Sequence, residues 1–123
     1  MNDFPLQKIT IYHKKVENNV TTYERYVKEA GYQNTSILNR NNTGVSITDT
    51  ADIWIFDVQG YNNTWYAEKG DVIVNKEVTD TIEGTAPITQ LSKLYGRENV
   101  HEIQSIDKFI IGEEIDHIEL GAK

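Results

Sequence analysis

Apolar and polar side chains alternate along much of this chain. In the N-terminal run, Ile9, Ile11 and His13 fall on one face and the intervening residues on the other. A period of two residues is typical of a half-buried strand. Similar runs occur at residues 7–14, 20–28, 32–38, 45–48, 51–56, 72–74, 100–107 and 117–121. The pattern predicts about eight short strands.

The run at residues 51–56 differs from the others because both of its faces are apolar. Ile53 and Ile55 lie on one face, and Trp54 and Phe56 lie on the other. Strands with two apolar faces are usually covered on both sides. We therefore expect this strand to be central or to be covered on both faces.

One segment has the spacing of a helix. Apolar residues between positions 88 and 95 recur every three or four residues. Thr85 is a suitable N-cap, Pro87 suits the first turn, and Gly96 suits the position just past the end. The sequence predicts one short helix at about 86–95, which needs packing on the sheet to be stable.

Turn-forming residues between these elements predict loops at about 39–44, 57–70 and 108–116. The length of 123 residues suits one domain. We therefore predict a single β-rich domain over residues 1–123. Its fold class is mainly β, a small β-barrel or sandwich of about eight short strands with one short helix.

The composition narrows the chemistry. The chain has no cysteine, which excludes disulfides, thiolate nucleophiles and cysteine-ligated zinc. No apolar run approaches the length of a membrane helix, and the N-terminus lacks the pattern of a signal peptide. We expect a soluble cytosolic domain with no membrane partner.

The net charge of −7 is unevenly distributed. Residues 1–40 carry six Lys or Arg against four Asp or Glu, whereas residues 41–123 carry six against fifteen. Such asymmetry suits head-to-tail contact between copies, although uneven charge can also simply solvate a surface. The overall negative charge disfavours an electrostatic grip on nucleic acid.

No catalytic motif is visible. His13, His101 and His117 lack the spacing of metal ligands, and the acidic residues at 113–116 lack the spacing of an EF-hand. A nucleophile elbow and a glycine-rich phosphate loop are also missing. The sequence predicts no enzyme, no catalytic residue, no cofactor and no metal.

Two apolar groups are candidates for an interface. Trp65 and Tyr66 lie in a polar connector, and Phe109, Ile110 and Ile111 lie in a predicted loop. Exposed aromatic and aliphatic side chains commonly anchor protein interfaces. We predict these five residues as interface residues. The two aromatic residues could alternatively form part of a stacking platform for a ligand.

The order of these elements resembles a family of small proteins encoded among the head and neck morphogenesis genes of tailed phages and prophages. The resemblance rests on Gly96 and on residues 9–12, 50–55, 69–74, 99–107 and 117–123. It spans most of the chain, and its most distinctive feature is the order of the pieces together with the C-terminal closure. The family has no catalytic motif to transfer.

The resemblance implies a virion structural protein. It would form a homo-oligomeric neck, stopper or head-completion ring at the head–tail connector, assembled in the cytoplasm of the bacterial host. Its partners would be other copies, the portal or portal adaptor, and tail proteins. DNA would be present only as passing channel content. Acidic loops facing that channel would repel the phosphates.

Two alternatives stay open from the residues. A tail-side ring protein, such as a tail terminator, shares a small β architecture. A non-viral ligand-binding β module would use Trp65, Tyr66 and Tyr61 as a stacking platform. Position in an assembled particle separates the first alternative from a neck protein, and ligand-dependent tryptophan fluorescence would support the second.

Overall fold

Six antiparallel strands close on themselves to form a barrel. The computed structural model describes residues 6–41 and 44–123, including their side chains except at positions 35–49. The elements in chain order are β1 (Gln7–Glu17), β2 (Val20–Asn41), β3 (Gly44–Ile55), β4 (Val72–Val74), α1 (Pro87–Tyr95), a 3-10 turn (Arg97–Asn99), β5 (Val100–Ile111) and β6 (Glu114–Ala122). The predicted mainly β class with one short helix is confirmed, and the architecture is a barrel.

The strand order around the barrel is β1-β2-β3-β6-β5-β4, and β4 returns to β1. The closing strand β4 has only three residues, which pair with β1 on one side and with β5 on the other. Val72, for example, is opposite Tyr12 in β1 and Glu102 in β5. Closure of the whole sheet therefore depends on a very short strand.

The predicted count of about eight strands was wrong. The runs at 20–28 and 32–38 belong to the single strand β2, and the runs at 45–48 and 51–56 largely form β3. Gly31 does not break β2, because it stays in register opposite Trp54. A glycine interrupts the side-chain pattern of a strand without interrupting its backbone hydrogen bonds.

Two of the three predicted loops are replaced by hairpins. Around the predicted loop 39–44, β2 continues to Asn41 and β3 begins at Gly44, while residues 42 and 43 lie outside the described residues. The predicted loop 108–116 is mostly strand, with its turn at Gly112, whose φ is +68°. Only the connector at 57–70 lies between strands as expected.

Alternation along the strands fills the barrel interior with aliphatic side chains. Ile9 and Ile11 of β1, Ile53 and Ile55 of β3, and Ile118 of β6 are fully buried in one cluster. Antiparallel pairing brings these residues together from distant parts of the sequence. This interior cluster is the main core of the protein.

A second cluster lies outside the barrel, under the helix. Tyr12, Val72 and Val74 project outward from β1 and β4 and contact Leu91 of α1 and Val100 of β5. The expectation of a half-buried strand was wrong for residues 9–13 of β1, which are buried on both faces because the segment after β4 covers their outer face. The helix packs against β4 and the start of β5.

The outer face of β3 is open, contrary to the expectation for residues 51–56. Ile53 and Ile55 are buried, but Phe56 is 41% exposed. The physical reason is the position of the helix, which covers β4, the strand opposite β3 in the six-strand order. The prediction of Thr85 as the N-cap was wrong. The helix begins at Pro87, Ala86 occupies the N-cap position, and no side chain caps the helix.

The described strands form three hairpins, β1–β2, β2–β3 and β5–β6. Strand β3 pairs with β6 only from Ala51 onward. Residues 44–50 of β3 pair with β2 alone, so the β2–β3 hairpin extends beyond β6 by seven residues. Seven strand residues span roughly 20 Å. The register places the β1–β2 and β5–β6 turns at the other end of the barrel. The described part of the chain holds no helix with the length and hydropathy of a membrane span.

Truncating a core residue should cost far more stability than truncating a hairpin residue. Ile53→Ala removes a fully buried side chain, and we expect a loss of about 2 to 5 kcal/mol in the free energy of unfolding. Ile111→Ala removes one that is 70% exposed and should cost less than about 0.5 kcal/mol. Urea unfolding followed by circular dichroism measures both values. Equal losses would show that the barrel interior is not the core.

Tyr12 should make the protein less stable at high pH. Burial and the nearby Asp80 carboxylate raise the pKa of its phenol from 10.0 to about 12. The unfolded chain therefore releases this proton near pH 10 and the folded chain near pH 12, so stability falls as pH rises between these values. Between pH 8 and 11 we expect the wild type to lose about 1 kcal/mol more than Tyr12→Phe, measured by urea unfolding. Parallel pH profiles for the two proteins would refute this.

Candidate functional site

The outward side of β3, β6 and β5 forms a surface that we call the open sheet face. Because Ile53, Ile118 and their alternating neighbours point into the barrel, the residues between them point outward. The outward residues are Asp52, Trp54 and Phe56 from the β3 segment, His117, Glu119 and Gly121 from β6, and Ser105, Asp107 and Phe109 from β5. The face combines aromatic rings with carboxylates.

His117 is held between two phenylalanine rings on this face. Its ring stacks on Phe109 with centroids 4.5 Å apart and planes at 5°, and it lies 5.4 Å from the Phe56 ring. Its Nδ1 is 2.8 Å from Asp116 Oδ2, and its Nε2 is 3.5 Å from Glu119 Oε2. These contacts on both edges and both faces of the His117 ring fix its orientation. Phe56 and Phe109 are still 41% and 43% exposed.

Beside this aromatic strip lies an acidic notch of about 120 Å³. Asp52, Asp107 and Glu119 line it, and Trp54 Nε1 donates a hydrogen bond of 2.7 Å to Glu119 Oε1. Gly121 also lines the notch, where a Cβ would come within 2.5 Å of Ser105 Oγ. The notch therefore depends on the absence of a side chain at this position of β6.

The β5–β6 hairpin carries the most exposed aliphatic residues near this face. Ile110 and Ile111 are 61% and 70% exposed. A groove of about 510 Å³ runs alongside, lined by Phe56, Val58, Ile115 and neighbouring residues. Of the predicted interface residues, Phe109, Ile110 and Ile111 thus lie together on a hairpin end, where they are accessible to another molecule.

Trp65 lies elsewhere, and the expectation that it is exposed was wrong. Its side chain is 2% exposed, and its Nε1 donates to the Gln59 carbonyl oxygen at 2.9 Å. Tyr61 contacts its edge with ring centroids 4.9 Å apart, and Lys28 Nζ is 4.5 Å from its ring centroid. Trp65 is thus part of the barrel core. The polarity of the surrounding connector gave no sign of this burial.

Tyr66 is half buried and belongs to a different group of residues. It stacks on His13, with ring centroids 5.1 Å apart. Tyr26 lies 6.4 Å from Tyr66 between ring centroids, and its phenol donates a hydrogen bond to Glu24. Burial and this bond raise the pKa of Tyr26 well above its usual range. Neither Tyr66 nor Trp65 contributes to the open sheet face.

A buried carboxylate lies where β4 begins. Asp71 is 2% exposed, and its Oδ2 is 2.8 Å from His13 Nδ1. The same oxygen accepts the Glu68 N–H at 2.8 Å, and Oδ1 accepts the Lys14 N–H at 3.0 Å. Both oxygens are therefore engaged in joining β1 to the turn before β4. This arrangement makes the His13–Asp71 pair part of the barrel closure.

The three histidines occupy three separate environments. His13 pairs with Asp71, and His117 lies on the open sheet face. His101 is fully buried, with its Nδ1 2.6 Å from the Tyr32 hydroxyl oxygen. Among the described residues, no group of three His, Asp or Glu side chains could hold a metal ion.

Sequence reasoning missed Phe56 and Trp54 as residues of an open face, because it predicted that both faces of residues 51–56 are covered, and it did not place His117 beside them. The strict alternation through residues 51–56 and 117–121 does indicate which residues share a face, because it separates inward from outward positions. It does not say which outward face is covered by the helix. That depends on where α1 packs.

These features define a small closed antiparallel β-barrel protein with one packed helix and an open face rich in aromatic and acidic residues. A family model described as a family of unknown function (DUF6751) matches residues 4–123, and the chain belongs to this family. No curated protein matches the chain. The family description specifies no activity, so the functional proposal depends on the geometry and on the sequence resemblance.

Asp71 should matter far more to stability than a comparable surface carboxylate. Asp71→Asn replaces an oxygen that accepts hydrogen bonds by an amide group that donates them, and we expect a loss of about 3 kcal/mol. The matched control is Asp57→Asn, because Asp57 is 59% exposed and its Oδ2 is 3.7 Å from Lys28 Nζ. That change should cost less than about 1 kcal/mol. Urea unfolding measures both, and similar costs would contradict the role of Asp71 in barrel closure.

Proposed function

We propose that this protein is a virion structural protein of a tailed phage or prophage. In this proposal it forms a ring at the head–tail connector, as a neck, stopper or head-completion protein. Its partners are other copies of itself, the portal or its adaptor, and tail proteins. It acts in the neck of the virion after assembly in the bacterial host cytoplasm. No catalytic residue, cofactor or metal is assigned.

The exposed apolar hairpin is the observation that carries the proposal. Ile110 and Ile111 project from the barrel end with more than half of their surface accessible. Adjacent exposed aliphatic residues on a hairpin are costly in water and gain stability when a neighbouring molecule covers them. A subunit that functions inside an assembly has this kind of surface.

The architecture of the chain also supports a role as a subunit between neighbouring subunits of an assembly. A closed barrel has a rigid body, and its hairpins extend from both ends. Such hairpins can reach an adjacent subunit or another layer of an assembly while the barrel keeps its structure. The sequence resemblance to phage neck proteins supplies the biological setting.

The negative charge is compatible with a ring around DNA. With a net charge of −7, the protein would repel rather than bind the phosphates. DNA would therefore pass through such a ring without adhering to it. A basic surface lining the channel would contradict this part of the proposal.

A tail-side ring, such as a tail terminator, would use the same features and is distinguished by its position in the particle.

The ligand-binding alternative loses support because Trp65, the residue predicted to provide a stacking surface, is buried in the core. Tyr61 is held by its hydroxyl, which donates to the Ala67 carbonyl oxygen at 2.9 Å.

The ring proposal predicts self-association through the β5–β6 hairpin. Light scattering of the purified chain should give a mass several times the 14.1 kDa of one chain. The double variant Ile110→Ser and Ile111→Ser should reduce association strongly, because it removes the exposed aliphatic surface. The matched control is Val16→Ser and Val20→Ser on the β1–β2 hairpin, where each valine is 59% exposed.

We expect this control variant to associate as the wild type does. Circular dichroism and thermal unfolding establish that both double variants are folded. A wild-type chain that stays monomeric at high concentration, and also in the presence of portal and tail proteins, would rule out the connector role. Equal effects of the two double variants would show that the β5–β6 hairpin is not the specific contact.

A further inference from the structure

We infer that the open sheet face binds a polypeptide segment of another protein in which Lys or Arg residues lie next to apolar side chains. The occupant is a different protein and not a second copy of this chain. That the other protein is a virion neighbour rests on the proposed function. The binding chemistry follows from the face itself.

The aromatic part of the face accounts for the apolar half of this specificity. Phe56, His117 and Phe109 form a row of adjoining rings, stacked between His117 and Phe109 and tilted between His117 and Phe56, and the two phenylalanine side chains keep two fifths of their surface exposed. Clustered rings that are already held in place lose little conformational freedom on binding. Apolar side chains of a partner would therefore gain by covering this row.

The carboxylates account for the basic half. Three of the nine residues named as the open sheet face are acidic, namely Asp52, Asp107 and Glu119, and none of the nine is Lys or Arg. Within the ranges that the structure describes, neither Asp52 nor Asp107 forms an ion pair. A cation from a partner would relieve the repulsion between these like charges.

The acidic notch gives the cation a specific place. It is a small notch of about 120 Å³, lined by the carboxylates of Asp52, Asp107 and Glu119 and by Ser105. A planar guanidinium can bond two carboxylate oxygens at once, which makes arginine the better fit. The aromatic row and the notch are adjacent on the same three strands, so one short segment can occupy both.

Other occupants fit less well. Nucleic acid would place phosphates against carboxylates, which repel them. A metal ion needs a converging group of ligands, and the described residues contain no such group. A second copy offers few free cations in its basic N-terminal segment, because Lys8, Lys15 and Lys28 are already paired with Glu77, Glu24 and Asp57. A basic and apolar segment of another protein satisfies both the rings and the carboxylates.

The test uses short capped peptides of defined pattern as probes. One alternates leucine and lysine, a second alternates leucine and glutamate, and a third alternates serine and lysine. The indole N–H signal of Trp54 in a two-dimensional NMR spectrum reports binding at the face, because Trp54 Nε1 bonds to Glu119. We expect the leucine–lysine peptide to shift this signal and to bind at least about tenfold more tightly than the other two.

Variants of the protein separate a specific site from general attraction to an acidic chain. Asp52→Asn with Asp107→Asn should weaken binding of the leucine–lysine peptide by about tenfold. The control Glu83→Gln with Glu98→Gln removes the same charge near α1 and should leave binding unchanged. Likewise Phe109→Ser should weaken binding, whereas Leu94→Ser, at a helix residue that is 56% exposed, should not. All these positions are on the surface, and circular dichroism establishes that each variant is folded.

Several results would overturn the inference. Equal weakening by the two acidic double variants would show general charge attraction, and equal binding of the leucine–glutamate peptide would remove the basic requirement. If Asp52→Asn with Asp107→Asn and Phe109→Ser each dissociate an oligomer of the chain alone, a second copy is the occupant. Failure of the proposed function can be distinguished from failure of this inference. A chain that stays monomeric but binds the leucine–lysine peptide at Trp54 would refute the ring and support the peptide-binding face.

Discussion

A single buried carboxylate, that of Asp71, reinforces the barrel where the three-residue strand β4 closes the sheet. β4 contributes only three residues to the closure, and immediately before it Asp71 accepts hydrogen bonds from the backbone N–H groups of Lys14 and Glu68 while it pairs with His13. These bonds continue the connection between β1 and the β4 side of the sheet beyond the last strand pair. Burial makes them decisive, since an unsatisfied carboxylate at 2% exposure would be strongly destabilising. The connector that buries Trp65 in the barrel interior leads directly into this turn.

Closure in this form leaves the barrel with two unlike sides. α1 covers the side of β4, where it forms the outer cluster around Tyr12 and Leu91. One helix of nine residues is too short to cover more than a few strands, so the opposite side keeps its aromatic and acidic residues in contact with water. An asymmetric barrel of this kind has one face devoted to folding and another available for association. The apolar end of the β5–β6 hairpin adds a second accessible surface beside it.

Local patterns predicted the helix and the position of most strand residues, because helical spacing and period-two alternation depend on neighbours in the chain. Strand merging at Gly31 was missed, since a glycine resembles a turn in sequence while its backbone can still pair with Trp54. The burial of Trp65 was missed because its neighbours are polar and its position depends on the Gln59 carbonyl and on Lys28. Phe109 is exposed and stays a predicted interface residue, whereas its contact with His117 could not be read from spacing.

The sequence by itself determined the strand-rich character, the single short helix, the negative charge and the exclusion of cysteine chemistry. Each follows from composition or from the order of neighbouring residues. Only the tertiary structure decided that the sheet closes, which outer face the helix covers, and that Phe56, Phe109 and His117 form one row. Closure of the sheet and the contact between Phe56 and His117 depend on pairing between residues more than fifty positions apart along the chain. Such long-range pairing is determined by the free energy of the whole barrel, because the side chains of all strands must pack in one limited interior. A local sequence pattern does not report that packing.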